Sequence, residues 1–373
     1  MKHIPLNNLS AQYQEIKEEA DEAIKKVIES NAFINGPDVS LFEEEFAEYC
    51  QAKYCCGVGN GTDALILALK AVGVKRGDYV LTAANTFIAT SEAITIVGGI
   101  PAFVDIDPDT CLMDIRDLRS KIEGLIEKGL PVRAVIPVHL YGRPCGMAEI
   151  IDISREFDLR VIEDSAQAHG AEVGGVRVGG WGDVSAFSFY PGKNLGAFGD
   201  AGAVVTNDES LAKHMAMLKN HGRTEKYIHE IEGFNSRLDT IQAAVLRIKL
   251  RYLDAWTDRR IEVAKLYNDG LKGVDLLLPD CSGPMRHVFH LYVIRTQANE
   301  RDRLADFLKK KNISVGIHYP VPLHLQPAYQ YLEYKRGDFP EAESVAEEIL
   351  SLPIDAGINQ EQIEYICQAI KSF

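Results

Sequence analysis

The sequence predicts an α/β protein whose larger part is a mainly parallel, seven-stranded sheet, followed by a smaller α+β unit. Two observations carry this prediction. Short runs that are apolar on both faces alternate with amphipathic stretches from Tyr54 to about residue 218, the pattern of a parallel sheet covered by helices on both sides. Beyond a long helical region the alternation stops and isolated strands and helices follow. At 373 residues the chain is long enough for two such units.

The elements follow in order. Apolar residues at helical spacing (Ile16, Ala20, Ala23, Ile24, Val27, Ile28) predict a helix over about 11–30, broken by Gly36-Pro37, and a second helix covers roughly 39–50. Strands are predicted at 55–58, 79–83, 102–105, 134–140, 160–163, 185–190 and 203–206, with helices at 62–71, 88–97, 147–156 and 209–218. The long helical region spans about 238–271. After it come a strand at 288–295, an amphipathic helix at 301–311, a strand at 314–318, and helices near 341–350 and 360–370. The boundary falls inside the long helix, giving a large domain over 1–250 and a small one over 251–373, with the first 30 or so residues open to packing on the small one.

Composition narrows the function. A net charge of −14 disfavours a broad phosphate-binding surface, so neither nucleic acid nor an anionic membrane is an expected partner. The seven cysteines are odd in number and show no C-x-x-C spacing, which fits reduced thiols rather than a disulfide framework or a zinc site. The first residues carry no apolar signal core, and no apolar run approaches the length of a bilayer span. A soluble, cytoplasmic protein is expected, with no metal.

Ligands of open α/β sheets bind beyond the carboxyl ends of the strands, and three such ends here carry chemistry. Gly57-Val58-Gly59-Asn60-Gly61-Thr62 leads from a strand into a helix and presents free amides suited to a phosphate, or serves only as a tight turn and cap. Its G-x-G-x-G spacing is not the dinucleotide fingerprint, and no Walker A loop is present. Asp164 ends an apolar strand, so its carboxylate needs a cationic partner; a protonated pyridine nitrogen and a salt bridge within the fold both satisfy that need. Lys193 follows Phe187-Ser188-Phe189-Tyr190-Pro191-Gly192, where a desolvated amine becomes a nucleophile able to form a Schiff base. Phosphate loop, strand-end carboxylate and strand-end lysine together are the inventory of pyridoxal 5′-phosphate (PLP) chemistry.

These residues carry a resemblance. Gly36-Pro37, Gly59-Asn60-Gly61-Thr62-Asp63-Ala64-Leu65, Asn85-Thr86-Phe87-Ile88-Ala89-Thr90, Pro137-Val138-His139-Leu140-Tyr141-Gly142, Glu163-Asp164-x-Ala166-Gln167-Ala168-His169-Gly170, the lysine segment and Gly233-Phe234-Asn235-Ser236-Arg237-Leu238 resemble the DegT/DnrJ/EryC1/StrS family of PLP-dependent nucleotide-sugar aminotransferases nearly end to end. The resemblance implies PLP fold type I, the aspartate aminotransferase-like fold. It implies that Lys193 bonds to the cofactor and shuttles the proton, that Asp164 pairs with the ring nitrogen, that Gln167 contacts the ring hydroxyl and that Phe87 stacks on the ring. Gly61, Thr62 and Ser188 would hold the phosphate, joined by Asn235 from a partner subunit in a homodimer with shared active sites. His169 is either a packed histidine beside the cofactor or a catalytic group.

The flank of the lysine refines the expectation. Members that aminate C-4 often show Ser-Phe-His-x-x-Lys, whereas Ser188-Phe189-Tyr190-Pro191-Gly192-Lys193 is similar to the branch acting on C-3 of dTDP-linked 3-keto-6-deoxyhexoses. Gly316-Ile317-His318-Tyr319-Pro320 is similar to that branch too. Tyr190, His318 and Tyr319 are therefore candidates for the nucleotide-linked keto sugar, or His318 and Tyr319 belong to a loop packed on the large domain. The family's usual donor, L-glutamate, is the expected one. The alternatives are C-4 amination of a UDP- or dTDP-4-keto sugar, and a non-catalytic PLP-fold sensor. The family's dehydratases replace the lysine, commonly by histidine, so its presence here points to transamination.

Overall fold

The computed structural model describes residues 3–280 and 283–373. Seven strands form the main sheet: β1 (Tyr54–Val58), β2 (Tyr79–Ala83), β3 (Ile100–Val104), β4 (Val132–Ile136), β5 (Arg160–Asp164), β6 (Val184–Ser188) and β7 (Gly202–Thr206). Their order is β1-β7-β6-β5-β4-β2-β3. Strands β3, β2, β4, β5 and β6 are parallel neighbours, while β7 runs antiparallel to both β6 and β1. Two successive reversals return β1 to the direction of the parallel set. The carboxyl ends of β1, β2, β4, β5 and β6 thus lie along one edge, and β7 begins there.

Both faces of this sheet are buried, as the doubly apolar runs predict. Alternate residues enter opposite cores. Val80, Ala134, Ile136, Ile162, Val184 and Val204 pack with helices Gly61–Ala71, Ile88–Ile96 and Glu209–Leu218, while Leu81, Val135 and Val161 pack with helices Ile115–Glu127 and Met147–Glu156. Phe187, Ala203 and Val205 meet helix Pro37–Tyr49 and the start of the long helix Thr240–Gly270. At that junction Phe46 is fully buried, with its ring edge-on to Phe187 and Phe189 at centroid distances of 5.0 and 5.1 Å.

The far end of the long helix belongs to a separate core. Tyr267 packs with Leu304 and Leu308, with Ile363 and Ile366, and with strands β8 (Tyr292–Arg295) and β9 (Ile349–Leu352), which pair antiparallel. Ile4 joins it: its N–H donates to the Asn312 carbonyl and its carbonyl accepts from the Ser314 N–H, both at 2.9 Å.

Several elements differ from the sequence reading. The strand predicted at 134–140 ends at Ile136, before Pro137, and Leu140–Gly142 is a short turn with Tyr141 at φ 61°. The strand predicted at 185–190 ends at Ser188. Residues 314–318 form no strand, only bridges from Ile313 and Gly316, and of 288–295 only Tyr292–Arg295 is extended in a ladder. The last turn assigned to the helix at 341–350 is instead the start of β9, because pairing with β8 takes those backbone groups. A helix that the reading did not place, Ile115–Glu127, is capped by Asp114, whose carboxylate accepts from the Arg116 and Asp117 N–H groups.

Among the described residues, no helix is long and apolar enough to cross a membrane. Six thiols (Cys50, Cys55, Cys56, Cys111, Cys145, Cys367) are unpaired, and Cys281 lies outside the described residues. Truncating Phe46 to alanine should destabilise the protein by about 3–5 kcal/mol, the cost of removing a fully buried aromatic ring. The shift of the denaturant midpoint measures this; a loss below about 1 kcal/mol would contradict the packing described.

Candidate active site

The aligned strand ends open on one cavity of ≈ 580 Å³. Gly61, Thr62, Phe87, Asp164, Gln167, Ser188, Tyr190, Lys193 and Tyr319 all line it. Nine of the residues singled out from sequence are therefore brought together from five separate stretches of chain.

Asp164 is the last residue of β5. Its N–H donates to the Pro137 carbonyl at 2.9 Å and its carbonyl accepts from the His139 N–H at 3.1 Å. The preceding Glu163 is fully buried and its carboxylate accepts from the Gly179, Trp181 and Gly182 N–H groups and lies 3.1 Å from His139 Nε2. This brace fixes the strand end. The Asp164 carboxylate accepts from Thr90 Oγ1 at 2.8 Å through Oδ2 and from the Ala166 N–H at 3.2 Å through Oδ1. Burial still raises its pKa, against those two hydrogen bonds and the charge of Lys193.

Lys193 sits in the turn after β6, and its N–H closes onto the Tyr190 carbonyl at 2.8 Å. The turn is held from three sides. Asn7 Nδ2 donates to the Gly192 carbonyl, Asn194 Nδ2 to the Val288 carbonyl, and the buried Lys249 Nζ to the Gly196 carbonyl at 2.6 Å. The Lys193 ammonium makes no hydrogen bond among the described residues. Burial lowers its pKa to about 8, with Asp164 acting in the opposite direction.

The remaining residues shape the walls. Asn60 caps the helix Gly61–Ala71 by accepting from the Asp63 N–H at 2.8 Å, which leaves the first-turn amides facing the cavity. Gly61 is required by close approach, since a Cβ there would stand 2.5 Å from Ser188 Cβ. Phe87 is 54% exposed and Tyr190 60% exposed, so each offers an aromatic face to the cavity mouth. Gln167 Oε1 accepts from the Tyr141 N–H at 2.7 Å and Nε2 donates to Tyr319 Oη at 3.2 Å; burial first, then the nearby Asp164, pushes the Tyr319 hydroxyl up to about 12.

His318 and Asn235 are not brought into the cavity. The His318 ring turns away to Ser351 Oγ at 2.8 Å, and its carbonyl accepts from Tyr141 Oη. Asn235 is exposed and its backbone bridges to Asn220. His169 is fully buried between Phe187 and Phe189, and burial lowers its pKa to about 3, which keeps the ring neutral. His324 pairs with Glu343 at 2.9 Å, and no cluster of three or more His, Cys, Asp or Glu among the described residues is placed to hold a metal.

Among the polar members of the site that sequence reasoning did not assign, two stand out. Thr90, which bonds Asp164, lay inside the quoted Asn85–Thr90 motif, one turn into the helix from Phe87. Asp200 reaches the cavity because β7 runs backwards and its leading residues meet the site, a reversal no local pattern announces.

A sequence profile of the DegT/DnrJ/EryC1/StrS aminotransferase family matches residues 14–371. The chain belongs to that family. It is 42% identical over 99% of its length to dTDP-3-amino-3,4,6-trideoxy-alpha-D-glucose transaminase of Streptomyces venezuelae, covering 96% of that protein. It is also 42% identical to dTDP-3-amino-3,6-dideoxy-alpha-D-galactopyranose transaminase of Aneurinibacillus thermoaerophilus, covering 99% of this chain and 98% of the relative. Among solved structures it superposes on S. venezuelae DesV in complex with a ketimine intermediate with a TM-score of 0.95, at 42% identity, covering 100% and 98% of the two chains. NtdA of Bacillus subtilis, solved with its cofactor PMP, superposes with a TM-score of 0.90 at 28% identity, covering 100% of this chain and 85% of that one. The protein is a PLP-dependent aminotransferase.

The cavity fits that cofactor. It offers an unbonded amine, a buried carboxylate in need of a cation, an exposed aromatic face and a helix N-terminus left open by a glycine. In protein stripped of PLP, only the neutral form of Lys193 is nucleophilic, so its rate of reductive alkylation should rise with pH to a plateau, with a midpoint at about 8. Asp164→Asn should move that midpoint down, because the carboxylate charge supports the ammonium. Peptide mass spectrometry of Lys193 reads both; a midpoint near the ordinary lysine value of about 10.4 would show that the amine is solvated.

Proposed function

We propose that the protein moves the amino group of L-glutamate to C-3 of a dTDP-linked 3-keto-6-deoxyhexose, giving a dTDP-3-amino-3,6-dideoxyhexose, gluco or galacto, and 2-oxoglutarate. The observation that carries this reading is an unbonded, desolvated lysine amine beside Asp164, in a chain 42% identical along nearly its whole length to two transaminases named for 3-amino sugars of dTDP. The flank Tyr190-Pro191-Gly192, in place of a histidine-containing one, favours C-3 over C-4.

When bound, PLP supplies an aldehyde that exchanges amines and a protonated ring that draws off an electron pair from a neighbouring carbon. The chain's residues do the rest. Lys193 Nζ would hold the aldehyde and, as a free base, would take the proton from the donor's α-carbon. It later returns a proton to sugar C-3. Asp164 holds a proton on the ring nitrogen, its own charge steadied by Thr90 and Ala166. Phe87 would cover one ring face, and Gln167 would offer its second amide hydrogen to the ring hydroxyl. Gly61, Thr62 and Ser188 receive the phosphate at the helix N-terminus. Tyr190 and Tyr319 face the sugar nucleotide, with His318 behind them.

The active form is read as a homodimer in which Asn235 of the partner subunit completes the phosphate site. Supporting this, Asn235 is exposed and lies outside its own cavity, and Ile34, exposed beside Phe33, bridges Asp239 on the same segment. The large and small domains are read as meeting within the long helix, near residue 250. The enzyme is read as cytoplasmic.

Lys193→Ala should abolish the visible absorption of the bound cofactor and lower turnover by at least about a hundredfold, the usual share of a positioned acid–base group. Near-normal turnover in that variant would sink the assignment. With glutamate, PLP and a panel of 3-keto and 4-keto nucleotide sugars, mass and NMR analysis should show amination at C-3; product at C-4 alone would overturn the regiochemistry. A colourless protein indifferent to PLP and glutamate would instead support a non-catalytic sensor.

A further inference from the structure

One hydroxyl joins the cavity's phosphate loop to the segment carrying Asn235. Ser236 is 3% exposed. Its Oγ accepts from the Gly59 N–H at 3.1 Å and donates to Asp63 Oδ2 at 2.6 Å. Those roles are forced, because an amide only donates and an ionised carboxylate only accepts. The Ser236 N–H is itself fixed on the Lys219 carbonyl at 2.9 Å. Gly59 precedes Gly61 by two residues, and Asp63 lies in the first turn of the helix whose amides face the cavity. A single buried oxygen therefore touches both sides of the loop.

A second contact braces the start of the same loop. Lys219 Nζ donates to the Gly57 carbonyl at 3.0 Å and to Glu43 Oε1 at 2.8 Å, while that Glu43 oxygen accepts from the Gly57 N–H at 2.7 Å. Gly57 presses so closely on Leu238 that a Cβ would stand 2.8 Å from it. The loop and the segment 234–238 thus behave as one braced unit, and its outer face presents Asn235 to solvent.

We infer that Ser236, with Asp63 as its acceptor, is a positioning residue that holds the phosphate loop of one subunit in fixed relation to Asn235, the residue offered to the other subunit's phosphate. The inference rests on the reading of Asn235 as a phosphate ligand across a dimer. Phosphate bound to the Gly61–Thr62 amides immobilises the loop, the loop immobilises Ser236, and the next residue back is then set for the neighbouring site. The two cofactor sites of the dimer are coupled through this oxygen.

The test is a set of PLP dissociation constants, from absorbance titration of the stripped full-length protein, for the wild type, Ser236→Ala, Asn235→Ala and the double variant. Each single change should weaken PLP about tenfold, the cost of one charge-assisted hydrogen bond. The double variant should weaken it by only about thirtyfold rather than a hundredfold, because the two residues act through each other. Ser236→Thr, which keeps the hydroxyl, should return the constant to within about threefold of wild type, and Asp63→Asn, a poorer acceptor, should weaken binding severalfold. The thermal midpoint of the stripped proteins controls for folding, and the coupling between positions 235 and 236 is what a merely structural serine would not produce. Unchanged PLP binding in Ser236→Ala and Asp63→Asn, or strictly multiplicative effects in the double variant, would overturn the inference while leaving the reading of Asn235 standing. Unchanged binding in Asn235→Ala would overturn that reading and the link between sites together.

Discussion

The site depends on one electrostatic opposition: an amine withdrawn from water faces a carboxylate withdrawn from water. Burial lowers the Lys193 pKa and raises that of Asp164, while each group's charge pulls the other back toward its ionised form. Neither group could hold its place on a mobile loop. Asp164 is fixed because it closes a central strand, and Lys193 because Asn7 and Lys249 grip carbonyls of its turn and Asn194 ties the turn to the Val288 carbonyl.

The sheet topology makes that opposition available. Parallel strands place their carboxyl ends along one edge, so residues far apart in the chain arrive at one cavity. The antiparallel strand β7 adds two consequences. It returns β1 to the common direction, which brings the glycine loop to the same edge, and it delivers Asp200 from the opposite chain sense. Tyr319, which packs against the core containing Leu81, Val135 and Val161, meets Gln167 across the cavity through its hydroxyl.

Polar groups buried around the cavity are almost all answered by protein partners. Glu163 takes four bonds, Gln167 uses both ends of its amide, and Ser236 is satisfied as donor and as acceptor. Lys193 is the exception that matters. His169 lies buried between two phenylalanines, and burial keeps its ring neutral.

The amino-acid sequence determined the α/β class, the beginnings of all seven sheet strands to within a few residues, and the strand-end placement of Asp164 and Lys193, because each is written in a local pattern: doubly apolar runs, glycine turns, and a charged residue at or after a strand end. It also determined the family, through motifs spread along the chain. The helix Ile115–Glu127 went unplaced although Leu118 and Ile122 stand at helical spacing behind an aspartate cap, because the charged residues between them obscured the pattern. Tertiary structure alone decided the rest. Whether 349–352 is helix or strand depends on β8, more than fifty residues earlier in the chain, and whether 314–318 pairs depends on Ile4 and Ser351. Thr90 reaches Asp164 across 74 residues, and Ser236 reaches Asp63 across 173. Such bonds form only when the folded chain brings distant donors and acceptors within reach, so no window of sequence contains them.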